Sequence, residues 1–552
     1  MQNSDMQTVT DGPYLAGQMM DRPLTISSIM AYAADVHPTG RITSATVEGG
    51  RHSYTYREAW ARIAQLAGAL KSMGIGPGDR VATLAWNGYR HFELYYAVAG
   101  IGAVCHTINP RLFPDQIAWI MSHAGDRALF YDLTFAPLVA ELGPRMPEGL
   151  TQVFLSDEAH RPEGAPPEVR AYEALLDAQP ATFDWPEVPE EAAAALCYTS
   201  GTTGDPKGAL YSHRSTVLHA MSAVLGVPQG FGAGRAILPV VPLFHVNAWG
   251  LPYACPLSGT DLVFPGPHLD GASLFDLMAE TGVTNAWGVP TVWAGLIEEM
   301  SRRDAKPDAL EMLLIGGSAV STAMIERLED FDIRTVHGWG MTEMSPIGTC
   351  TRPLAEGAGR AARIDNAIPQ GKRLFGLEMK IVGDDGTPQP HDGVARGELL
   401  VRGPAVVNGY FNAPEASRLA FDADGWFRTG DVATIDAAGQ LRIVDRTKDL
   451  IKSGGEWISS LELENLALAH PSVANAAAIA VPDAKWDERP LLVVVPADPG
   501  TGVDTDALLD HMRAHLAKWQ VPDQVVVADA LPMTATGKIS KKDLRSRIAD
   551  GG

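Results

Sequence analysis

The sequence predicts an α/β protein: a large N-terminal part built on parallel sheet covered by helices, then an antiparallel region, then a small α+β C-terminal domain. Three observations predict it. Helical and extended patterns alternate over the first 200 residues. After Gly371, short extended runs are separated by Gly, Asp and Pro. Past Asp445 the two patterns mix again, over a stretch long enough to fold alone.

Residues 56–72 place apolar side chains at helical spacing and stop at the Gly/Pro-rich turn 74–78. Residues 80–86 form a β-type run, and 91–100 return to a helical pattern. Residues 128–131 and 152–155 continue the alternation. The Pro- and Glu-rich stretch 161–189 reads as a surface connection, and 193–198 as a further buried strand. The antiparallel region holds the extended runs 377–382, 397–402, 432–435 and 441–444, a barrel-like grouping. In the C-terminal domain, 461–469 and 506–518 read as helices, 473–481 and 491–495 as strands. The expected division is a body of residues 1–445 and a second domain of residues 446–552.

The 552 residues carry 44 Lys+Arg against 66 Asp+Glu, a formal net charge of −22. At roughly 150 residues per domain, the length asks for several packed units. Hydrophobic residues make up 46% and charged ones 20%, ample core material, so global disorder is excluded. An acidic surface repels a phosphate backbone, which excludes a general nucleic-acid binder. Any anionic substrate must be met by a local cluster of donors. Cys105, Cys197, Cys255 and Cys350 show no CxxC spacing, which suits a reducing compartment better than a zinc site or a disulfide framework. Residues 1–21 lack the basic start and apolar core of a signal peptide, and no apolar stretch approaches the ~20 residues of a membrane helix. A cytoplasmic protein without stable membrane insertion is expected.

The densest chemical signal is Tyr198-Thr-Ser-Gly-Thr-Thr-Gly-Asp-Pro-Lys-Gly208, directly after the expected strand. Gly201, Gly204 and Gly208 let the backbone bend and expose N–H groups. Thr199, Ser200, Thr202 and Thr203 add hydroxyls, and Lys207 adds a cation. These are the parts of a polyphosphate cradle. Gly208 follows Lys207, so the loop has no adjacent Ser/Thr for magnesium and is not a Walker A motif. The bland alternative is a polar surface turn; so many donors packed together favour phosphate.

This loop resembles the signature of the adenylate-forming superfamily, which includes acyl- and aryl-CoA synthetases, adenylation domains and luciferases. Four further segments carry the likeness in order. They are Gly338-Trp-Gly-Met-Thr-Glu343, Gly425-Trp-Phe-Arg-Thr-Gly-Asp431, Asp445-Arg-Thr-Lys-Asp-Leu-Ile-Lys-Ser-Gly-Gly-Glu456 and Pro532-Met-Thr-Ala-Thr-Gly-Lys538. The likeness runs from about residue 50 to the C-terminal lysine. It implies a body with two α/β sheets plus a small β-barrel, and a C-terminal domain that is mobile.

The resemblance also implies a two-step acid–CoA ligase that takes ATP, CoA and a small carboxylic acid, with Mg²⁺ as cofactor. Thr199, Ser200, Gly201, Thr202, Thr203, Gly204 and Lys207 would cover the β/γ-phosphates. Glu343 would bind Mg²⁺ with help from Thr203, and Thr342 would donate to the α-phosphate. Gly316, Gly317 and Ser318, with Gly338 and Trp339, would form the adenine slot, and Gly340 and Met341 would also contact ATP. Asp431 and Arg446 would hold the ribose. Lys538 would bridge carboxylate and α-phosphate during adenylation. Lys448 would be the hinge, whose rotation brings Gly454, Gly455, Glu456 and Trp457 to the site for CoA. Lys541, Lys542, Arg545 and Arg547, beyond Lys538, read as a solvated helix face.

On the acid side, Pro242-Leu-Phe-His-Val-Asn-Ala-Trp-Gly250 resembles the family segment that flanks the substrate pocket. His245 and Trp249 share one face if the segment is helical. Gly316 and Trp287 would line the rest, a pocket for an apolar acyl tail. His511 and His515 have metal-compatible spacing, but Met512 replaces the glutamate of the zinc-protease pattern. Residues 230–234 fall short of a dinucleotide fingerprint. The likeness is nearest to medium-chain acyl-CoA synthetases and 3-methylmercaptopropionyl-CoA ligases, and it makes a homodimer a reasonable expectation. The competing readings are a free-standing enzyme that loads a carrier protein and a non-catalytic nucleotide sensor.

Overall fold

The helical spacing over 56–72 becomes the helix Tyr56–Ser72, started by a capping box. There the Glu58 carboxylate accepts from the Thr55 N–H at 2.7 Å while the Thr55 hydroxyl accepts from the Glu58 N–H at 3.2 Å. Its inner face, Ala59, Ile63, Leu66 and Leu70, is fully buried. The computed structural model describes residues 17–199, 205–355, 357–454, 456–498, 500–534 and 538–549.

Seven strands form the first sheet. In spatial order they are Arg170–Ala171, Thr151–Phe154, Asp126–Tyr131, Arg80–Leu84, Val104–Thr107, Ala193–Thr199 and Lys207–Ser212. All neighbours are parallel except the last pair, an antiparallel hairpin. Four of the seven, Thr151–Phe154, Asp126–Tyr131, Arg80–Leu84 and Ala193–Thr199, fall on expected extended runs, whereas Val104–Thr107 and Lys207–Ser212 do not. The stretch 161–189 is more than a surface connection: it contributes the edge strand Arg170–Ala171 and the helix Tyr172–Asp177. Tyr172 is fully buried and its hydroxyl donates to Glu93, a tertiary anchor that the surrounding prolines conceal in the sequence.

The second sheet has thirteen strands. One half is Arg334–Gly340, Met312–Ile315, Asn285–Gly288, Ala236–Pro239, Asp261–Phe264 and Arg41–Ala45, all parallel, ended by antiparallel Arg51–Thr55. On the other side of Arg334–Gly340 the pairing turns antiparallel. It passes through Ile347–Cys350, Gly371–Arg373, Gln440–Arg446, Phe427–Ile435, Gly397–Arg402 and Glu378–Val382. The expected antiparallel region is thus present, begins two strands earlier at Ile347, and is joined edge to edge with the second α/β sheet.

Sheet membership changes between Arg446 and Ile451. The third sheet contains Glu456–Ile458, Ile451–Ser453, Asp487–Pro496 and Val473–Asp483, with Gln524–Val527 parallel to Asp487–Pro496. Helices Ser460–Leu468 and Thr505–Arg513 pack Leu463, Ala467, Leu508 and Met512 into its core. The expected helix over 506–518 therefore ends earlier, at Arg513.

The reading of residues 541–547 as a solvated face is corrected for two of its four cations. The Lys541 ammonium lies 2.6 Å from the Glu464 carboxylate and donates to the Ser460 hydroxyl, and both ionic partners are largely buried. Arg545 pairs with Asp449 at 2.7 Å. Lys542 and Arg547 are exposed. Helical spacing places Lys541 and Arg545 on one inner face, where buried carboxylates await them. Among the described residues no helix is long and apolar enough to cross a membrane.

Candidate active site

The two body sheets and the C-terminal domain each bring a part of the site. From the first sheet comes the hairpin Ala193–Thr199 and Lys207–Ser212, with Thr199 directly opposite Lys207. Ser200, Gly201, Thr202, Thr203 and Gly204 lie outside the described residues, as does Gly455. The Lys207 ammonium stands over the Tyr410 ring, 5.2 Å from its centroid.

Tyr410 also donates to the Glu343 carboxylate at 2.8 Å, so it links the lysine of one sheet to the acid of the other. The segment 407–411 is stitched to both: the Val407 N–H donates to the Glu343 carbonyl and the Phe411 N–H to the Gly208 carbonyl, each at 2.8 Å. The Tyr211 hydroxyl donates to the Thr342 carbonyl at 2.6 Å. Thr342 and Glu343 are buried in a single 3₁₀ turn that follows Met341. Burial pushes the Glu343 carboxyl above its ordinary value, against the pull of the Tyr410 hydrogen bond, Arg446 and Lys207.

Asp431 and Arg446 face one another across paired strands, and the guanidinium contacts the carboxylate at 2.8 Å. The other carboxylate oxygen accepts from the Trp339 indole N–H, also at 2.8 Å. Each oxygen retains a lone pair for a further donor. Burial raises the Asp431 carboxyl, with Arg446 opposing. Trp339 thus joins the expected adenine slot to the expected ribose site, a link absent from either motif read alone.

Gly316, Gly317 and Ser318 follow the strand Met312–Ile315, beside the strand carrying Gly338 and Gly340. A Cβ at Gly316 would lie 2.9 Å from the Gly338 carbonyl oxygen and 3.2 Å from the Trp249 ring. Gly317 has φ +80°, and a Cβ there would be 3.9 Å from Lys538 Cε. Lys538 therefore reaches from the C-terminal domain into the body. Burial lowers its ammonium pKa to about 8, helped by Arg446 and resisted by Asp431 and Glu343. Burial, with Lys538 nearby, also brings His245 down to about 3, so its imidazole is neutral at ordinary pH.

The segment after His245 is not a right-handed helix. Val246, Asn247, Ala248 and Trp249 have φ of 50°, 51°, 46° and 57°, and Gly250 follows at 80°. A left-handed turn costs roughly 1–2 kcal/mol per non-glycine residue, so it persists only where the surroundings dictate it. The one-face relation of His245 and Trp249 is corrected accordingly: Trp249 is carried against Gly316 and Gly317 by left-handed geometry. Trp287, expected to line the acid pocket, is fully buried in the core, its indole donating to Asn285 at 3.0 Å.

Gly454, Glu456 and Trp457 sit on the hairpin Ile451–Ser453 and Glu456–Ile458 of the third sheet. Trp457 is exposed, with the Lys452 ammonium over its ring. None of the contacts among the described residues joins these three to Glu343, Asp431 or His245; the residue of the C-terminal domain placed beside that group is Lys538. Exposed Lys448 lies at the junction, where its carbonyl accepts from Arg545 at 3.4 Å.

Three residues at this site carried no sequence signal. Tyr410 is one. Arg111 is another: its guanidinium lies 6.0 Å from the ring centroids of both Trp86 and Phe244, next to His245, and has no ion pair among the described residues. The third is Asn87, which grips the chain leading to His245. Each follows a strand or turn with no motif of its own, and only the tertiary contact reveals it.

Comparison with known proteins agrees over nearly the full length. Residues 31–411 match the model of the AMP-binding enzyme family, and residues 462–538 that of the AMP-binding enzyme C-terminal domain. A 3-methylmercaptopropionyl-CoA ligase of Ruegeria lacuscaerulensis is 48% identical over 539 residues, covering 97% of this chain and 99% of the relative. A medium-chain-fatty-acid–CoA ligase of Ectopseudomonas oleovorans is 44% identical, covering 97% and 98%. A crystal structure of an anthranilate CoA ligase in complex with anthranoyl-AMP superposes with a TM-score of 0.84 at 24% identity, covering 97% and 99%, and supports the fold. The chain belongs to the AMP-binding enzyme family, as an acyl-CoA synthetase of the adenylate-forming superfamily.

Proposed function

We propose that the chain activates an apolar carboxylic acid, a short- or medium-chain fatty acid or a 3-methylmercaptopropionate-like acid, and passes it to CoA. The carboxylate oxygen attacks the α-phosphorus of ATP and pyrophosphate leaves. The CoA thiolate then attacks the acyl carbon and AMP leaves. The observation that carries the reading is the placement of Lys538, from the C-terminal domain, between Gly317, Asp431, Glu343 and His245.

In this reading Lys538 holds two anions together at the reacting bond, where exclusion of water strengthens the charge. Its lowered pKa fits a site built to be completed by anionic substrates. Asp431 accepts the ribose hydroxyls, and Trp339 and Arg446 keep it aligned. Thr342 donates to the α-phosphate, and Lys207 with the loop 199–204 takes the outer phosphates. Mg²⁺ usually takes one or two protein carboxylates and completes its shell with phosphate and water. A single buried Glu343 carboxylate, with one oxygen occupied by Tyr410, fits that demand, and Thr203 would assist. The ion would neutralise phosphate charge.

The surface around Trp249 is apolar, since its ring lies against Gly316, and the neutral His245 imidazole adds no fixed charge there. Names of relatives at 48% and 44% identity support the same acid class. For the second step, the reading divides the chain at residue 445. Rotation at Lys448 withdraws Lys538 and presents residues 454–457 to the thiol.

A panel of C2–C12 fatty acids and 3-methylmercaptopropionate, with CoA or a carrier protein as acceptor, tests this. Thioester and AMP in equal amounts with CoA support the proposal. Pyrophosphate release without acyl-CoA from any acid overturns it.

A further inference from the structure

Five successive residues at positive φ, four of them not glycine, need an external clamp, and the first sheet supplies one. Asn87 follows the strand Arg80–Leu84 and is almost fully buried. Its side-chain amide donates to the Pro239 and Val241 carbonyls at 2.8 and 2.9 Å and accepts from the Leu243 N–H at 2.6 Å. Tyr95, fully buried on the helix Tyr89–Gly100, donates its hydroxyl to the Leu243 carbonyl at 2.5 Å. The same hydroxyl lies 3.1 Å from the Asn247 side-chain oxygen, which also receives the Cys197 thiol at 3.4 Å. The clamped atoms thus lie before His245 and inside the left-handed turn.

We propose that Asn87 and Tyr95 are positioning residues for acid selection: they hold the turn 246–249 in its left-handed form and so fix Trp249 against Gly316 and Gly317, with His245 at the head of the turn. The clamp belongs to one sheet and the clamped segment to the other, so acid selectivity depends on how the two sheets dock. In this role neither residue needs a contact with the acid. This rests on the ligase reading above.

The same helix provides a matched control. Tyr96 is equally buried, and its hydroxyl donates to the Pro252 carbonyl at 2.6 Å, beyond the turn. Tyr95→Phe and Tyr96→Phe each remove one buried hydroxyl and keep the ring, so they carry similar structural costs. The experiment measures acid KM across C2–C12 acids, ATP KM by pyrophosphate exchange, and the unfolding midpoint for both variants and wild type.

Tyr95→Phe is expected to raise KM for the preferred acid about five- to tenfold and to flatten the chain-length profile, leaving ATP KM within about twofold. Tyr96→Phe is expected to lower the unfolding midpoint alike and leave the profile as in wild type. Asn87→Ala should repeat the Tyr95→Phe pattern; if it folds poorly, the tyrosine pair decides alone. Profiles that stay unchanged in Tyr95→Phe, or that change equally in both tyrosine variants, overturn the inference. Wild-type enzyme that exchanges pyrophosphate with no acid instead overturns the ligase reading.

Discussion

Lys538 Cε lies 3.9 Å from the point where a Cβ on Gly317 would stand, which puts the C-terminal domain's lysine side chain in contact range of the body's glycine turn. Its ammonium is close enough to Asp431 and Glu343 for both to raise its proton affinity, and to His245 to lower that of the imidazole. A residue far along the chain thereby completes a group assembled from the two body sheets.

The depressed Lys538 pKa predicts a pH limb. Its ordinary value of 10.5 falls to about 8 in the folded chain. In the proposed mechanism adenylation needs the ammonium, so kcat/KM for ATP in pyrophosphate exchange should fall about tenfold per pH unit above about 8. Lys538→Arg should lose that limb. The stability effect has the opposite sense: between about 8 and 10.5 the unfolded chain binds more protons, so this group's contribution to stability increases as pH rises through that window. Exchange profiles and denaturant midpoints at matched pH check both signs.

Gly316→Ala should damage the acid side. The new Cβ would meet the Gly338 carbonyl oxygen at 2.9 Å and the Trp249 ring at 3.2 Å. A backbone oxygen cannot swing away, so a loss of about 1–3 kcal/mol in stability is expected, with a raised acid KM. Gly295→Ala, on the helix Pro290–Arg303 with only ordinary contacts, should gain about 0.5–1 kcal/mol and leave kinetics alone. Chemical denaturation separates the two.

Trp339→Phe keeps the aromatic ring and deletes the donor to Asp431. A buried carboxylate short of one partner costs about 1–3 kcal/mol, read as a lowered unfolding midpoint. ATP KM should rise about tenfold with acid KM little changed, which a two-substrate kinetic matrix resolves.

Lys541→Ala should destabilise strongly, because Glu464 is nearly buried and would lose its 2.6 Å cation. Breaking a buried pair from one side costs about 3–5 kcal/mol. Its exposed neighbour Lys542, changed to alanine, should shift stability by no more than about 0.5 kcal/mol. Thermal unfolding of the two variants makes the comparison.

The strands and helices that were legible are those where burial imposes a period that the residues display: Tyr56–Ser72 and Gly397–Arg402 coincide with their patterns. The positions of Lys207, Glu343, Asp431 and Lys538 were legible because each stands in a motif with its own chemistry. Tyr410, Asn87 and Tyr95 were not, since their polar atoms act across the fold on partners that no local pattern specifies. The left-handed turn was hidden for a related reason. Val246, Asn247, Ala248 and Trp249 include no glycine to advertise positive φ, and the conformation is imposed from the neighbouring sheet. Lys541 misled in the other direction, since a basic cluster near a chain end looks solvated until its carboxylate is seen.

In the proposed mechanism Lys538 serves adenylation from within the body and is withdrawn for thioester formation. The direct measurement is the pair of half-reactions in Lys538→Ala. Acyl-AMP formation, followed by pyrophosphate exchange, should fall about 10²–10³-fold. Conversion of supplied acyl-AMP and CoA to thioester and AMP should stay within a few-fold of wild type. Full exchange activity in the variant, or equal loss in both half-reactions with the fold intact, would contradict the account.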